Sequence, residues 1–169
     1  MKRNFFLLLT AIFSLFAFSV NAQFPAARFV KVQRVIDGDT FVLTTGERVR
    51  LLGIDTPELD SKIIQEKNLA IKATDLIKGY VEGKTIKLTF NRSLSLRGRA
   101  GDGADIFGRT LSYVWLTNNE GKDSLFIQAE LLKAGLARIL MYSKDKMYYH
   151  LFYNLRNTAR KNKLGVWYK

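Results

Sequence analysis

The chain has 169 residues, of which 47% are hydrophobic, with no Cys and a single His; 27 basic residues against 15 acidic ones give a net charge of +12. This length suits one domain with a single core held by packing alone, since no disulfide can form. With His150 as the only His, a zinc centre lacks ligands, so any bound metal should be a hard cation held by oxygen, and the basic excess points to a polyanionic partner or serves solubility alone.

The chain opens with Lys2 and Arg3, followed by an uncharged apolar run from Phe5 to Val20 that ends in "SVNAQ". This is the plan of a secretory signal peptide with cleavage after Ala22, and the run is short for a stable bilayer span; an uncleaved anchor is the alternative. Residues 1–22 are therefore expected to be a leader and residues 23–169 the working domain. Removing Lys2 and Arg3 lowers the net charge from +12 to +10. The product is expected to be secreted or periplasmic, with no stable membrane association once the leader is gone.

From Phe29 to Leu52 the sequence reads as three antiparallel strands, within "RFVKVQRVI", "DTFVLTT" and "RVRLLGI", broken at Asp37-Gly38 and Gly46-Glu47, where Gly allows tight turns. Pro57 cannot donate to a ladder and biases Thr56 away from helix, so the third strand should stop near Asp55. Helical spacing of Ala70, Ala73, Ile77 and Tyr80 predicts a helix over 63–81, ended by Gly83. "KTIKLTF" alternates as a half-buried strand with Ile86, Leu88 and Phe90 on one side, and "RTLSYVWLT" is a fifth with Leu111, Tyr113 and Trp115 on one face. Residues 91–105 between them have the Gly content of a long loop. A second helix over 125–134 closes at Gly135, and a third over 146–163 has Tyr148, Leu151, Phe152, Leu155 and Ala159 on one stripe. The order predicts an α+β fold, a small five-stranded β-barrel of the oligonucleotide-binding type with three helices.

Asp37, Asp39, Asp55 and Glu58 all fall at strand ends or turns in the first half of the chain. Two carboxylates held close repel unless a cation lies between them, and calcium accepts the irregular oxygen sites that loops offer. Each acid also has a plain structural reading: Asp37 as a turn former, Asp39 and Asp55 as caps of local backbone groups. Likewise Arg50 could be a buried partner to a carboxylate, and Arg109 a surface strand residue.

Five segments, "VIDGDTFVL", "RLLGIDTPE", "DIFGRTLSYV", "AELLKAGLAR" and "NKLGVW", resemble the thermonuclease family, secreted nucleases similar to staphylococcal nuclease. The resemblance runs from Phe29 to Trp167 with the elements in the family's order. It implies a five-stranded barrel with three helices that hydrolyses DNA and RNA with one calcium ion, leaving 3′-phosphate ends. By motif, it makes Asp39 and Asp55 the calcium carboxylates and the backbone carbonyl of Thr56 a further ligand. Arg50 and Arg109 would grip the scissile phosphate, and Glu58 would act on the attacking water.

Each role has a physical reason. The transition state of phosphodiester hydrolysis gains negative charge that preplaced cations must meet, and the planar fork of Arg matches two phosphate oxygens as the point charge of Lys does not. A carboxylate on the water can orient it or take its proton. The sequence departs from the family at Phe107, where Tyr is common, and at Met141-Tyr142, where two tyrosines usually flank the nucleotide. The loop over 91–105 is longer than is typical and carries Arg92, Arg97 and Arg99; Tyr149 and Tyr153 offer stacking faces, while Tyr148 suits the core. The expected protein is thus a monomeric, secreted, calcium-dependent endonuclease with DNA and RNA as substrates. The alternatives are a non-catalytic nucleic-acid or protein-binding module on the same barrel, and an exported basic protein bound to anionic envelope surfaces.

Overall fold

A computed structural model describes residues 27–91, 104–140 and 146–168. The expected leader, residues 92–103 of the expected loop, and Met141 with Tyr142 lie outside the described residues. Strands β1 (Ala27–Val35), β2 (Thr40–Leu43) and β3 (Arg48–Leu51) form an antiparallel meander. After β4 (Ile54–Asp55) comes α1 (Ile64–Val81), then β5 (Thr85–Thr89), which returns to pair antiparallel with β1. Strand β6 (Thr110–Thr117) pairs antiparallel with β5 through Tyr113–Trp115 and parallel with β3 through Thr110–Ser112. That last pairing closes β1, β2, β3, β5 and β6 into a five-stranded barrel, as the strand order predicts.

Val32, Phe41, Val49, Leu51, Ile86, Leu88 and Val114 are buried together in its core. Strand β7 (Asp123–Phe126) extends the sheet beyond β6 and runs straight into α2 (Ile127–Lys133), which Gly135 ends at φ 68°. The expected helix over 125–134 thus begins later, because Leu125 pairs with Leu116 and the Phe126 ring stacks on Trp115 at 4.0 Å. Gln128, fully buried at the start of α2, donates to the carbonyls of Ser112 (3.0 Å) and Leu52 (3.4 Å) and accepts from the Val114 amide (3.1 Å). It satisfies backbone groups along the seam where β3 and β6 meet, groups that burial would otherwise penalise.

The third helix, α3 (Tyr149–Lys161), is shorter at both ends than the predicted 146–163 and ends where Lys163 turns to φ 52°. Its buried stripe is also narrower, with Phe152 and Ala159 inside, Leu155 half-buried and Leu151 42% exposed. Tyr148 meets the Tyr113 ring edge-on at 4.6 Å, a core role. Both faces of β6 are therefore covered: Val114 joins the barrel interior, while Tyr113 and Trp115 pack under Phe126, Tyr148 and Phe152. Burying each such side chain contributes on the order of 1.5–3 kcal/mol.

The expected third strand does not run on to Asp55. It stops at Leu51, and Gly53 turns the chain at φ 86°, where a Cβ would lie 2.8 Å from Phe152 Cε2. Ile54 and Asp55 then pair with a separate two-residue strand, β8 (Arg138–Ile139). The chain leaves the barrel at Gly53, before Pro57 is reached. Among the described residues no helix is long and apolar enough to cross a membrane.

Candidate active site

The Asp37-Gly38-Asp39 turn between β1 and β2 is built by its own side chains: Asp37 Oδ1 accepts the Asp39 amide at 3.0 Å, and the amides of Ile36 and Asp37 reach the Thr40 carbonyl. Gly38 is required by close approach, since a Cβ there would meet Thr56 Oγ1 at 2.6 Å and Ala73 Cβ of α1 at 2.7 Å. This contact presses the turn against the loop that follows β4. Across it, Asp39, only 3% exposed, accepts the Thr56 amide and hydroxyl and the Thr40 hydroxyl, each at 3.0 Å.

Arg50, on β3 opposite Thr40, is 8% exposed and sends its guanidinium between two acids. Its Nη1 pairs with Asp39 Oδ1, and its Nη2 donates to Asp55 Oδ1 at 2.7 Å. The structure thus joins Arg50 to carboxylates of the protein itself, as one plain reading of the residue allowed. Asp39 and Asp55, 16 positions apart and on different elements, converge on one positive centre.

Glu58, exposed and three residues beyond Asp55, lies in the field of this cluster. Partial burial and the negative charges of Asp37 and Asp55 raise its carboxyl above the ordinary value, against the attraction of Arg50. Burial likewise raises Asp37, opposed by hydrogen bonding from Thr40 and by the charges of Arg50 and Arg109. Arg109 therefore acts on Asp37. It is brought there by the parallel β3–β6 pairing, which sets Thr110 beside Val49.

The Arg109 guanidinium is itself held by Asp105, with Nε and Nη2 at 2.8 and 2.7 Å from Oδ2, and lies 5.3 Å from the centre of the Phe107 ring. Asp105 Oδ1 accepts the amides of Phe107 and Arg109, both at 2.9 Å. Burial works against ionisation of Asp105, but the hydrogen bonds from Arg109 and Phe107 and the Arg109 charge outweigh it and hold this carboxyl below its usual value. Asp105 is the residue that the sequence reading missed. The signal was there in "DIFGR": an Asp three residues before a Gly, which forms a turn at φ 72°, and four before an Arg.

Asp39, Asp55 and the Thr56 carbonyl are an oxygen-only donor set, which suits a hard divalent cation. Among the described residues no group of three or more Asp, Glu, His or Cys side chains could hold a metal, so any ion here would rest on two carboxylates plus backbone and water. The convergence of both carboxylates on the Arg50 charge fits such an ion.

A family model described as staphylococcal nuclease homologue matches residues 48–169. The match takes in Arg50, Asp55, Thr56, Glu58 and Arg109, and Asp39 lies ahead of it. The thermonuclease of Staphylococcus intermedius is 33% identical over 139 residues, 80% of this chain and 74% of that protein. The thermonuclease of Staphylococcus hyicus is 30% identical over 140 residues, 81% of this chain and 74% of that protein. Endonuclease YncB of Bacillus subtilis is 33% identical over 144 residues, 83% of this chain and 62% of that protein. With the closed barrel, the three helices and a family match over most of its length, the chain belongs to the staphylococcal nuclease family.

Proposed function

We propose that the protein is a calcium-dependent endonuclease that hydrolyses phosphodiester bonds of DNA and RNA and leaves 3′-phosphate ends. One observation carries the reading: Arg50 joins Asp39 to Asp55, and Glu58 and Arg109 each lie within electrostatic reach of Asp37 in the adjoining turn. The printed names of the relatives, thermonuclease and endonuclease, support the same class of reaction. The leader, removed near Ala22, would deliver the product outside the cytoplasm.

In this reading Asp39, Asp55 and the Thr56 carbonyl would hold one Ca²⁺, which would supply Lewis-acid positive charge to the reaction when bound. Arg50, whose fork faces Asp39 and Asp55 in the structure, would turn it to two oxygens of the phosphodiester. Arg109, pre-oriented by Asp105, meets a second face of the same phosphate, and the two cations offset the charge that grows in the transition state. Glu58 stays a carboxylate of raised basicity, positioned to hold the water and accept its proton as the oxygen attacks phosphorus and the 5′ oxygen leaves.

The test is to digest 5′-labelled DNA and RNA strands in calcium and in excess chelator, then treat the products with a 3′-phosphatase. Cutting in calcium alone, with products whose mobility changes on phosphatase treatment, is expected. Equal cutting in chelator, or products that the phosphatase leaves unaltered, contradicts the reading.

A further inference from the structure

Arg138 of β8 is the register partner of Asp55, so the two side chains share one face of the short β4–β8 ladder. On that side of the molecule lies a cleft of about 490 Å³ lined by Arg138, Arg160, Lys163, Val166 and Trp167. Its lining holds three cations and no acid, and none of the three makes an ion pair among the described residues. Lys163 takes a left-handed backbone, φ 52°, at the end of α3, where Gly or Asn is the usual occupant. A non-Gly residue held so costs free energy, and such strain gathers at functional positions.

Arg160 belongs both to this cleft and to an outer face of α3. Tyr149, Tyr153, Arg156 and Arg160 are spaced four, three and four residues apart, one helix face beside the buried stripe. Tyr149 and Tyr153 are both 41% exposed with ring centres 5.9 Å apart, and the Arg156 guanidinium lies 4.3 Å from the Tyr153 ring. Two exposed aromatic rings followed by two arginines that make no ion pair among the described residues are what a single nucleic-acid strand requires, bases against rings and phosphates against charge.

We propose that this cleft and helix face form an accessory track for a single nucleic-acid strand, with phosphates on Arg138, Arg160 and Lys163 and bases against Tyr149 and Tyr153. It rests on the nuclease reading, and it adds a binding region on the Arg138 side of Asp55, apart from Arg50 and Arg109.

The test measures binding without cutting: fluorescence anisotropy of a labelled oligothymidylate with the whole protein in chelator, over a salt series. Each phosphate contact to a single strand contributes about 0.7 to the slope of log K against log salt. Arg160→Ala/Lys163→Ala should therefore lower that slope by about 1.4 and weaken binding roughly ten- to thirtyfold near 0.1 M salt. Tyr149→Ala/Tyr153→Ala should weaken binding by about fivefold or more with the slope unchanged, since stacking is not ionic. Wild-type affinity and slope in the Arg160→Ala/Lys163→Ala protein overturn the proposal. If the wild type cuts nothing yet this variant loses affinity and slope, the nuclease reading fails and the track stands; if it cuts and the variant binds as wild type does, the reverse holds.

Discussion

Replacing Arg50 by Met keeps the apolar stem of the side chain and removes the charge that joins Asp39 to Asp55. Removing one partner of a fully buried ion pair costs about 3–5 kcal/mol, because the other is left charged and unhydrated. Here the cost should be smaller: Asp39 keeps its three hydrogen bonds from Thr40 and Thr56, and Asp55, whose side chain is 44% exposed, can rehydrate. A loss of about 2–3 kcal/mol in chelator is expected, a fall of roughly 1 M in the urea midpoint at unchanged m. Calcium should then recover more stability in the variant than in the wild type, because it replaces the missing cation there and competes with the guanidinium in the native protein. At a hundred times its dissociation constant the ion adds about 2.7 kcal/mol to a state that alone binds it. Urea unfolding followed by Trp fluorescence, with and without calcium, reads both quantities. A loss below about 1 kcal/mol, or equal recovery in the two proteins, would refute the idea that Asp39 and Asp55 share one cation site.

Further predictions concern the same acids. Glu58→Gln should lower kcat by about a hundred- to ten-thousandfold with little change in stability, as expected for a group that acts on water alone. The acid limb of kcat/KM should lie above the ordinary glutamate value of 4.5, because partial burial and the negative charges of Asp37, Asp55 and Asp60 favour the protonated form; a limb at or below that value would argue against Glu58 as the titrating group. Asp37→Asn keeps the acceptor for the Asp39 amide and removes a burial-raised carboxyl. The native state holds the Asp37 proton more tightly than the unfolded chain, so stability falls as pH rises from the unfolded value of 3.8 through the raised native one. The Asn protein should accordingly be more stable at pH 7, with the gain vanishing in urea titrations below pH 3.8, and its acid limb should move down because one charge facing Glu58 is gone. Gly38→Ala drives a methyl into Thr56 and Ala73; a loss of about 1–3 kcal/mol in thermal or urea unfolding, with reduced activity, is expected.

What sequence reading recovered was what short-range physics controls. Alternation marked β5, turn residues marked the β1–β2 and β2–β3 connections, and the 3.6 period marked α1 with Ala70, Ala73 and Ile77 buried as expected. The strand break at Gly53 depends on Phe152, a hundred residues away, and β4 exists only because β8 lies beside it. Leu125 and Phe126 fit a helical stripe equally well, and it is Trp115 and Leu116 that make them a strand. At the site, residue types and motifs singled out Asp39, Arg50, Asp55, Glu58 and Arg109 as candidates, but not how they pair. Whether Arg50 faces a phosphate or a carboxylate is decided by the convergence of β2, β3 and β4, and the hold of Asp105 on Arg109 by the turn at Gly108.

The most direct test of the central claim compares wild-type protein with Glu58→Gln and Arg109→Ala on supercoiled plasmid in calcium, with products resolved on an agarose gel. The account predicts nicking and linearisation by the wild type, abolished by chelator and reduced at least a hundredfold in each variant. Undiminished cutting by either variant, or no cutting by the wild type in calcium, would contradict it.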